Sequence, residues 1–188
     1  MPAAHLRGKV KLPARGSFPV MTVGSPVARV VLVMLVALTV TVSMCIGSGL
    51  GKGGPAPDFS ERDVDGITHR LADYEGRVLV IEFFATWCTY CTDQLPIMEK
   101  VREDHPEDQL SILSVDGDDR ESRERVAEYR VKHDIQWPVV YKAGTMAEDY
   151  MVDAYPTTVV IDGEGVVQYY HAGTVSERGL VEAVEEAL

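Results

Sequence analysis

The sequence predicts an α/β sandwich domain behind an apolar N-terminal segment. From residue 58 onward, β-rich apolar runs alternate with helical patterns, and the alternation ends in a hairpin and a last helix. Residues 30–46, by contrast, form an almost wholly apolar run without a charge. The 188 residues therefore divide into a basic region 1–29, a transmembrane anchor or signal segment 30–46, a flexible tether 47–57 and the domain 58–188.

The charges of the chain also separate these parts. The first 46 residues contain five basic residues and no Asp or Glu, whereas the rest carries all 29 acidic residues against 13 basic ones. Such asymmetry indicates that the two parts work in different environments. The composition disfavours nucleic acid as a partner, because a domain this acidic repels phosphates.

The apolar segment is long enough to reach across a membrane. About 20 helical residues cross a bilayer core of about 30 Å. Basic residues before it and acidic ones after it predict that the N-terminus lies inside and the domain outside the cytoplasm. A retained anchor is the favoured interpretation. A cleaved secretory signal and a lipoprotein with lipid on Cys45 are the alternatives, although Met44 stands where a lipobox has a small residue.

The elements of the domain follow from local patterns, taken in chain order. The tether 47–57 is rich in Gly and Pro, and Asp65-Gly66 is a turn between two short strands. The run VLVIEFF at 78–84 has the character of a buried central strand. Beyond it we expect helices at 89–104, 121–133 and 145–152, strands at 110–115 and 137–141, a hairpin of 157–161 with 166–171 around a Gly-rich turn, and a helix that Ser176 caps and that runs to Leu188 on a stripe of Leu180, Val184 and Leu188.

The most informative motif is the pair Cys88 and Cys91, placed where the buried strand has ended and a helix begins. Two cysteines at this spacing on a first helical turn can close a disulfide or open to a dithiol with little movement. Free backbone N–H groups at a helix N-terminus stabilise a thiolate and so lower the pKa of the first cysteine. We therefore expect Cys88 to attack and a buried Cys91 to resolve the mixed disulfide.

Two other uses of this cysteine pair compete with redox exchange. A zinc site needs four ligands, but the chain has one C-x-x-C motif and five scattered histidines, so we expect no metal. A static disulfide across so short a loop would add little stability.

The motifs around the cysteines resemble the thioredoxin superfamily. These motifs are ATWCTYC at 85–91 after an apolar strand, with Pro96 following, and APDF at 56–59, LADYEGR at 71–77 and YPTT at 155–158. Together they are similar to the TlpA-like branch, whose members are membrane-anchored extracytoplasmic thiol–disulfide oxidoreductases. The resemblance implies a thioredoxin-like three-layer sandwich with a mixed central sheet flanked by helices, and no cofactor.

The resemblance also implies roles for individual residues. Cys88 and Cys91 match the redox disulfide of the family, and Trp87 matches the aromatic residue beside it. Pro156 matches the cis-proline that faces the cysteines, so that the backbone of Tyr155 would pair with an extended substrate. An ordinary turn proline is the alternative.

Glu82 is the remaining candidate site residue. It stands six positions before Cys88 in an otherwise apolar strand and matches the buried carboxylate of thioredoxins. Burial would raise the pKa of this carboxyl, which could then relay the proton of Cys91. The alternative is a carboxylate that reaches the edge of the sheet.

These observations favour a dithiol–disulfide exchanger that acts on protein thiols and disulfides. We expect a reductant supplied with electrons by a membrane partner, with the oxidising direction left open. Thr89-Tyr90 between the cysteines and Gln94 three residues after them depart from many relatives and leave the pathway unassigned. A peroxide-scavenging redoxin and a copper-binding assembly chaperone, which would add a histidine such as His171, are the alternatives.

Overall fold

The computed structural model describes residues 50–188, so the predicted anchor 30–46, Cys45 and the start of the tether lie outside the described residues. The elements are β1 (Ser60–Arg62), β2 (Thr68–Arg70), a 3-10 helix (Leu71–Tyr74), β3 (Val78–Phe84), α1 (Thr89–Asp104), β4 (Leu110–Asp116), α2 (Arg123–Lys132), β5 (Val139–Val140), α3 (Gly144–Asp149), β6 (Thr157–Ile161), β7 (Val167–Ala172) and α4 (Glu177–Ala187).

A five-stranded mixed sheet organises the domain, in the order β5-β4-β3-β6-β7. All seven residues of the central strand β3 are buried. β3 runs parallel to β4 and antiparallel to β6, while β1 and β2 form a separate antiparallel pair. The predicted thioredoxin-like α/β sandwich with a mixed sheet is confirmed.

The sheet divides the core into two layers. The first, here called the cysteine layer, holds Val80 and Phe84 of β3 together with Cys88, Cys91 and apolar residues of α1, α2 and α4. The second, here called the opposite layer, holds the intervening Leu79, Ile81 and Phe83 with residues of α3 and the segment before β3. This division follows from the alternation of side chains along a strand.

Several predicted boundaries shift for local reasons. α2 begins at Arg123 because the Ser122 side chain accepts the Arg125 N–H as an N-cap, so Glu121 stays outside the helix. The strand predicted at 137–141 narrows to Val139–Val140. Leu188 is a correction to the predicted stripe: it follows the last turn of α4 and is exposed, while Leu180 and Val184 are buried.

The predicted tether is shorter than expected. Gly53 donates a hydrogen bond to Val167 O, and Ala56 donates one to Gly165 O. Pro55 also forms an isolated antiparallel bridge with Val166. Residues 53–57 therefore lie on the β6–β7 hairpin as part of the domain, because their backbone groups find partners there. Within residues 50–188, no helix combines the length and the apolar character needed to cross a bilayer.

Candidate active site

The two cysteines lie at the N-terminus of α1 and form a disulfide with a Cα–Cα distance of 5.4 Å. Cys88 is the N-cap residue of the helix, and its Sγ accepts the Cys91 backbone N–H at 3.1 Å. Cys91 is fully buried, whereas Cys88 keeps 6% of its surface. A sulfur at the N-cap faces the unpaired N–H groups of the first turn, and these favour its thiolate form once the disulfide opens.

Aromatic side chains flank the disulfide on the surface. Trp87 and Tyr90 are 58% and 68% exposed, which is unusual for residues of this size. The Trp87 ring meets the Tyr155 ring edge-on at 6.1 Å. Trp87 Nε1 donates to Asp118 Oδ2 at 2.9 Å, so the exposed indole is held in place.

Asp118 connects this aromatic pair to a cation. The Arg120 guanidinium donates two hydrogen bonds to the Asp118 carboxylate, at 2.7 and 2.8 Å. These bonds, followed by the bond from Trp87, hold the pKa of Asp118 well below its usual range. Asp118 therefore remains an ionised acceptor for the indole at any physiological pH.

The loop before β6 forms the second wall of the site. The Tyr155–Pro156 peptide bond is cis, and Gly173 N donates to Pro156 O at 2.7 Å. The loop after β4 approaches it closely at Gly117, where an added Cβ would lie 2.3 Å from Tyr155 Oη. A side chain at 117 would thus displace the Tyr155 ring.

A further set of hydrogen bonds fixes the segment that leads into the cysteines. Glu121 is buried, and its carboxylate accepts the Thr86 backbone N–H at 3.2 Å and the Thr86 hydroxyl at 2.5 Å. Arg125 Nε donates to the same hydroxyl at 2.9 Å. The residue two positions before Cys88 is therefore tied to the start of α2.

Glu82 lies inside the cysteine layer, since its neighbours Val80 and Phe84 on the same face of β3 belong to that layer. Only 1% of its surface is accessible. Ser114 Oγ donates to Glu82 Oε2 at 2.9 Å. Burial raises the pKa of Glu82 to about 8, and the Ser114 hydrogen bond opposes that rise.

The comparisons with known proteins agree with this geometry. The model of the AhpC/TSA family matches residues 53–170, which include both cysteines and the cis-proline. The chain belongs to this thioredoxin-like family. Thioredoxin-like protein YneN of Bacillus subtilis is 31% identical over 138 residues, covering 73% of this chain and 81% of YneN.

Two further similar proteins have names that refer to thiol–disulfide chemistry. Thiol-disulfide oxidoreductase ResA of Geobacillus kaustophilus is 30% identical over 140 residues, covering 73% of this chain and 79% of ResA. The crystal structure of a protein described as a putative thiol:disulfide interchange protein DsbE from Chlorobium tepidum superposes with a TM-score of 0.68 at 25% identity, covering 74% of this chain and 99% of that one. The predicted enzyme class, thiol–disulfide oxidoreductase, is confirmed.

The structure brings most of the predicted site residues together at the end of the sheet where β3 ends and β6 begins. Cys88, Cys91 and Tyr155 contact one apolar cluster, and Trp87 contacts Tyr155. Glu82 lies below them in the sheet rather than at its edge, because β3 is the central strand. In residues 50–188, no three His, Cys, Asp or Glu side chains are grouped so as to hold a metal ion.

Sequence reasoning missed Asp118, Glu121, Ser114 and Trp137 as contributors to the site. Ser114 on β4 reaches Glu82, and Trp137 just before β5 reaches Ser114. Asp118 and Glu121, in the segment after β4, reach Trp87 and Thr86. Acidic residues are common in loops, so the local sequence around Asp118 and Glu121 does not indicate a role in the site. Only the pairing of β3 with β4, which aligns the C-terminal ends of both strands, could have indicated them.

Proposed function

We propose that this protein reduces disulfide bonds of other proteins on the outer side of a membrane. The observation that carries the proposal is the Cys88–Cys91 disulfide at a helix N-terminus, between the exposed Trp87 and the Tyr155–Pro156 loop. An oxidised pair in this setting can accept two electrons and pass them on as a dithiol.

The reaction proceeds through a mixed disulfide. In the reduced protein, the Cys88 thiolate attacks one sulfur of the substrate disulfide, and the other substrate sulfur leaves as a thiolate. The Cys91 thiol then gives its proton to the Glu82 carboxylate. The Cys91 thiolate attacks Cys88 Sγ, which closes the Cys88–Cys91 bond and releases the second substrate sulfur. Two electrons have then moved from this protein to the substrate, and the released thiolates take up protons from water.

The surface around Cys88 suits an extended polypeptide substrate. Tyr155 precedes the cis bond, and its ring lies beside the Trp87 ring. An extended segment that carries the target disulfide would form β-type hydrogen bonds with the Tyr155 backbone, while the exposed aromatic rings cover apolar side chains next to its cysteine.

The location and the electron source belong to the same proposal. The apolar run 30–46, with basic residues before it and the acidic domain after it, supports attachment to a membrane with the domain outside the cytoplasm. A membrane protein that carries thiols would then return the Cys88–Cys91 pair to its reduced state. Attachment through a lipid on Cys45 is the alternative to a retained anchor.

Trapping of the mixed disulfide tests the proposed function. In the full chain with Cys91→Ser, Cys88 should remain covalently bound to substrate proteins, because no thiol releases them. Cys88→Ser is the matched control and should trap nothing. If both variants capture the same adducts in similar amounts, or neither captures any, the proposal is wrong. Peroxide consumption by the unsubstituted chain, lost in Cys88→Ser, would favour the redoxin alternative instead.

A further inference from the structure

The two oxygens of the Glu82 carboxyl have different surroundings. Oε2 accepts the hydrogen bond from Ser114 Oγ at 2.9 Å. Oε1 is buried and has no hydrogen-bond partner among the protein groups of residues 50–188. Because Glu82 takes part in the proposed reaction as a proton acceptor, it matters which of the two oxygens carries the proton.

Trp137 determines how Ser114 can use its hydroxyl. Trp137 Nε1 donates to Ser114 Oγ at 2.8 Å. An indole N–H can only donate, so one lone pair of the serine oxygen is always occupied by this bond. The single hydroxyl proton of Ser114 then points to Glu82. The three side chains are buried. Ser114 on β4 pairs with Glu82 on β3, and Trp137 lies two residues before Val139, which pairs with Ser114 from β5.

We propose that Ser114 and Trp137 are positioning residues that direct the proton of Glu82 to Oε1, which makes Oε1 the atom that exchanges protons with Cys91. In this step the Cys91 S–H bond breaks and the Glu82 Oε1–H bond forms, without transfer of electrons. The Cys91 thiolate is then ready to attack Cys88. The inference rests on the proposed function and adds two residues to its proton path.

The alternative, a proton on Oε2, is disfavoured by the hydrogen-bond count. The Oε2–H group would have to donate to Ser114 Oγ, which already accepts the Trp137 N–H. The serine proton would then lose its acceptor in a buried site, and an unpartnered buried donor is costly. Protonation at Oε1 keeps both existing bonds and leaves only the Oε1 group without a partner among residues 50–188, whereas protonation at Oε2 would leave both Oε1 and the serine proton without one.

Other titratable groups near this relay are few. Cys88 and Cys91 on α1 and Tyr129 on α2 share the cysteine layer, and the negative charges of Glu82 and Glu121 both act on the pKa of Tyr129. No Lys, Arg or His side chain is buried among residues 50–188. The ionised Glu82 thus has no cationic partner in this layer, which leaves the Ser114 bond as its main stabilising contact.

Titration of the Glu82 carboxyl in the full-length reduced protein tests the relay. Carbon-13 NMR of labelled glutamate follows this group directly, and Glu82→Gln assigns its signal. Ser114→Ala should raise the midpoint by about one unit, because the bond to the charged form is lost. Trp137→Phe should move it in the same direction by less, since the Ser114 hydroxyl then becomes free to turn away.

Thr158→Val is the matched control. Thr158 pairs with Glu82 from the other neighbouring strand, and its buried hydroxyl makes no hydrogen bond with the carboxyl. This variant should leave the midpoint in place. In chains that keep Cys91, the pH dependence of the rate at which Cys91 resolves a Cys88 mixed disulfide should shift in Ser114→Ala in parallel with the Glu82 titration.

The outcomes separate this inference from the function on which it rests. If Ser114→Ala leaves the Glu82 midpoint unchanged, or Thr158→Val moves it equally, the positioning role is wrong even though disulfide exchange persists. If Cys88 forms no adducts in any variant, the proposed function itself fails.

Discussion

The two layers that share the central sheet differ in what they bury. On the cysteine side, neighbouring strands carry Thr158, Glu82 and Ser114 in one row across the sheet. On the opposite side, the buried residues of β3 and β4 are apolar, such as Phe83 and Leu113, and Ser111 is only partly buried. Thr157 is the polar exception in β6, and its hydroxyl donates to Ala154 O. The layer beneath the cysteines thus accepts unsatisfied polar atoms that the other layer avoids.

This difference indicates that the cysteine layer serves the reaction and the opposite layer serves stability. Burying a polar group without full hydrogen bonding lowers stability, so Glu82 in the centre of the sheet needs a use that offsets its cost. The opposite layer carries no such cost and supplies apolar burial. Substitutions matched between the layers can test this division.

The largest expected effect is on the pH dependence of stability. The pKa of Glu82 is about 8 in the folded chain, against 4.5 for an unperturbed glutamate, so between these pH values the unfolded chain has released a proton that the folded chain still holds. Stability therefore falls as pH rises from about 4.5 to about 8, by several kcal/mol, and Glu82→Gln should remove that part of the fall. Urea unfolding at a series of pH values measures it.

A second buried carboxyl, that of Asp116, should contribute the rest of the fall in stability with pH. Asp116 is buried at the end of β4, accepts the backbone N–H groups of Asp118 and Lys142, and has a pKa raised to about 7 by burial. Its contribution should persist in Glu82→Gln between about pH 4 and pH 7. A variant that keeps the full slope of the unsubstituted protein would show that Glu82 is ionised in the folded chain at neutral pH.

A substitution in the opposite layer should lower stability equally at every pH and leave disulfide exchange unchanged. Leu113→Ala removes a fully buried side chain and should lower the free energy of unfolding by about 2–5 kcal/mol at every pH. Disulfide exchange per folded molecule should not change, because Leu113 contacts neither cysteine. Equilibrium unfolding and a turnover assay on the same sample check both statements, and a lower turnover of the folded fraction would break the comparison.

Much of this arrangement follows from local sequence, and some of it does not. The strand 78–84, the helix that starts after Cys88 and the hairpin around residue 163 are set by apolar runs, capping residues and glycines, which act over a few positions. The contacts of Asp118 and Ser114 depend on the alignment of β3 with β4, which joins residues about 30 positions apart. No local pattern contains that information.

The predicted tether shows the same limit. A stretch rich in Gly and Pro indicates flexibility when considered alone. In the structure, Pro55 lies against Val166 because the β6–β7 hairpin offers backbone groups that need partners. The edge of a sheet can thus order a segment whose own composition favours disorder.

A smaller effect is expected at the surface of the site. Gly117→Ala places a Cβ too close to Tyr155 Oη, so the Tyr155 ring must shift and its contact with Trp87 changes. We expect KM for protein disulfides to rise about tenfold, in the range of a small-to-large substitution at a packed position. A small disulfide such as oxidised glutathione should react as before, since it does not need the contacts of the Trp87 and Tyr155 rings. Equal losses for both substrates would contradict this.

The smallest effect concerns Asp118 and its neighbour. Asp118→Ala frees the Trp87 indole and should raise KM for protein disulfides a few-fold without changing kcat. Asp119→Ala is the control at the next position, because the Asp119 carboxylate bonds Gly144 N rather than Trp87. Steady-state kinetics with one protein substrate compare the two variants. A similar change in KM in Asp118→Ala and Asp119→Ala would show that the loss of a negative charge from this loop, and not the loss of the Trp87 hydrogen bond, causes the effect.

The order in which the two sulfurs react tests the account most directly. The reduced full-length chain is exposed to limiting iodoacetamide from about pH 5 to about pH 9, and mass spectrometry measures the label on each cysteine. We expect Cys88 to be labelled first throughout, with Cys91 protected until the chain unfolds. Labelling of Cys91 at the same rate as Cys88, or before it, would contradict the assignment of attacking and resolving sulfur.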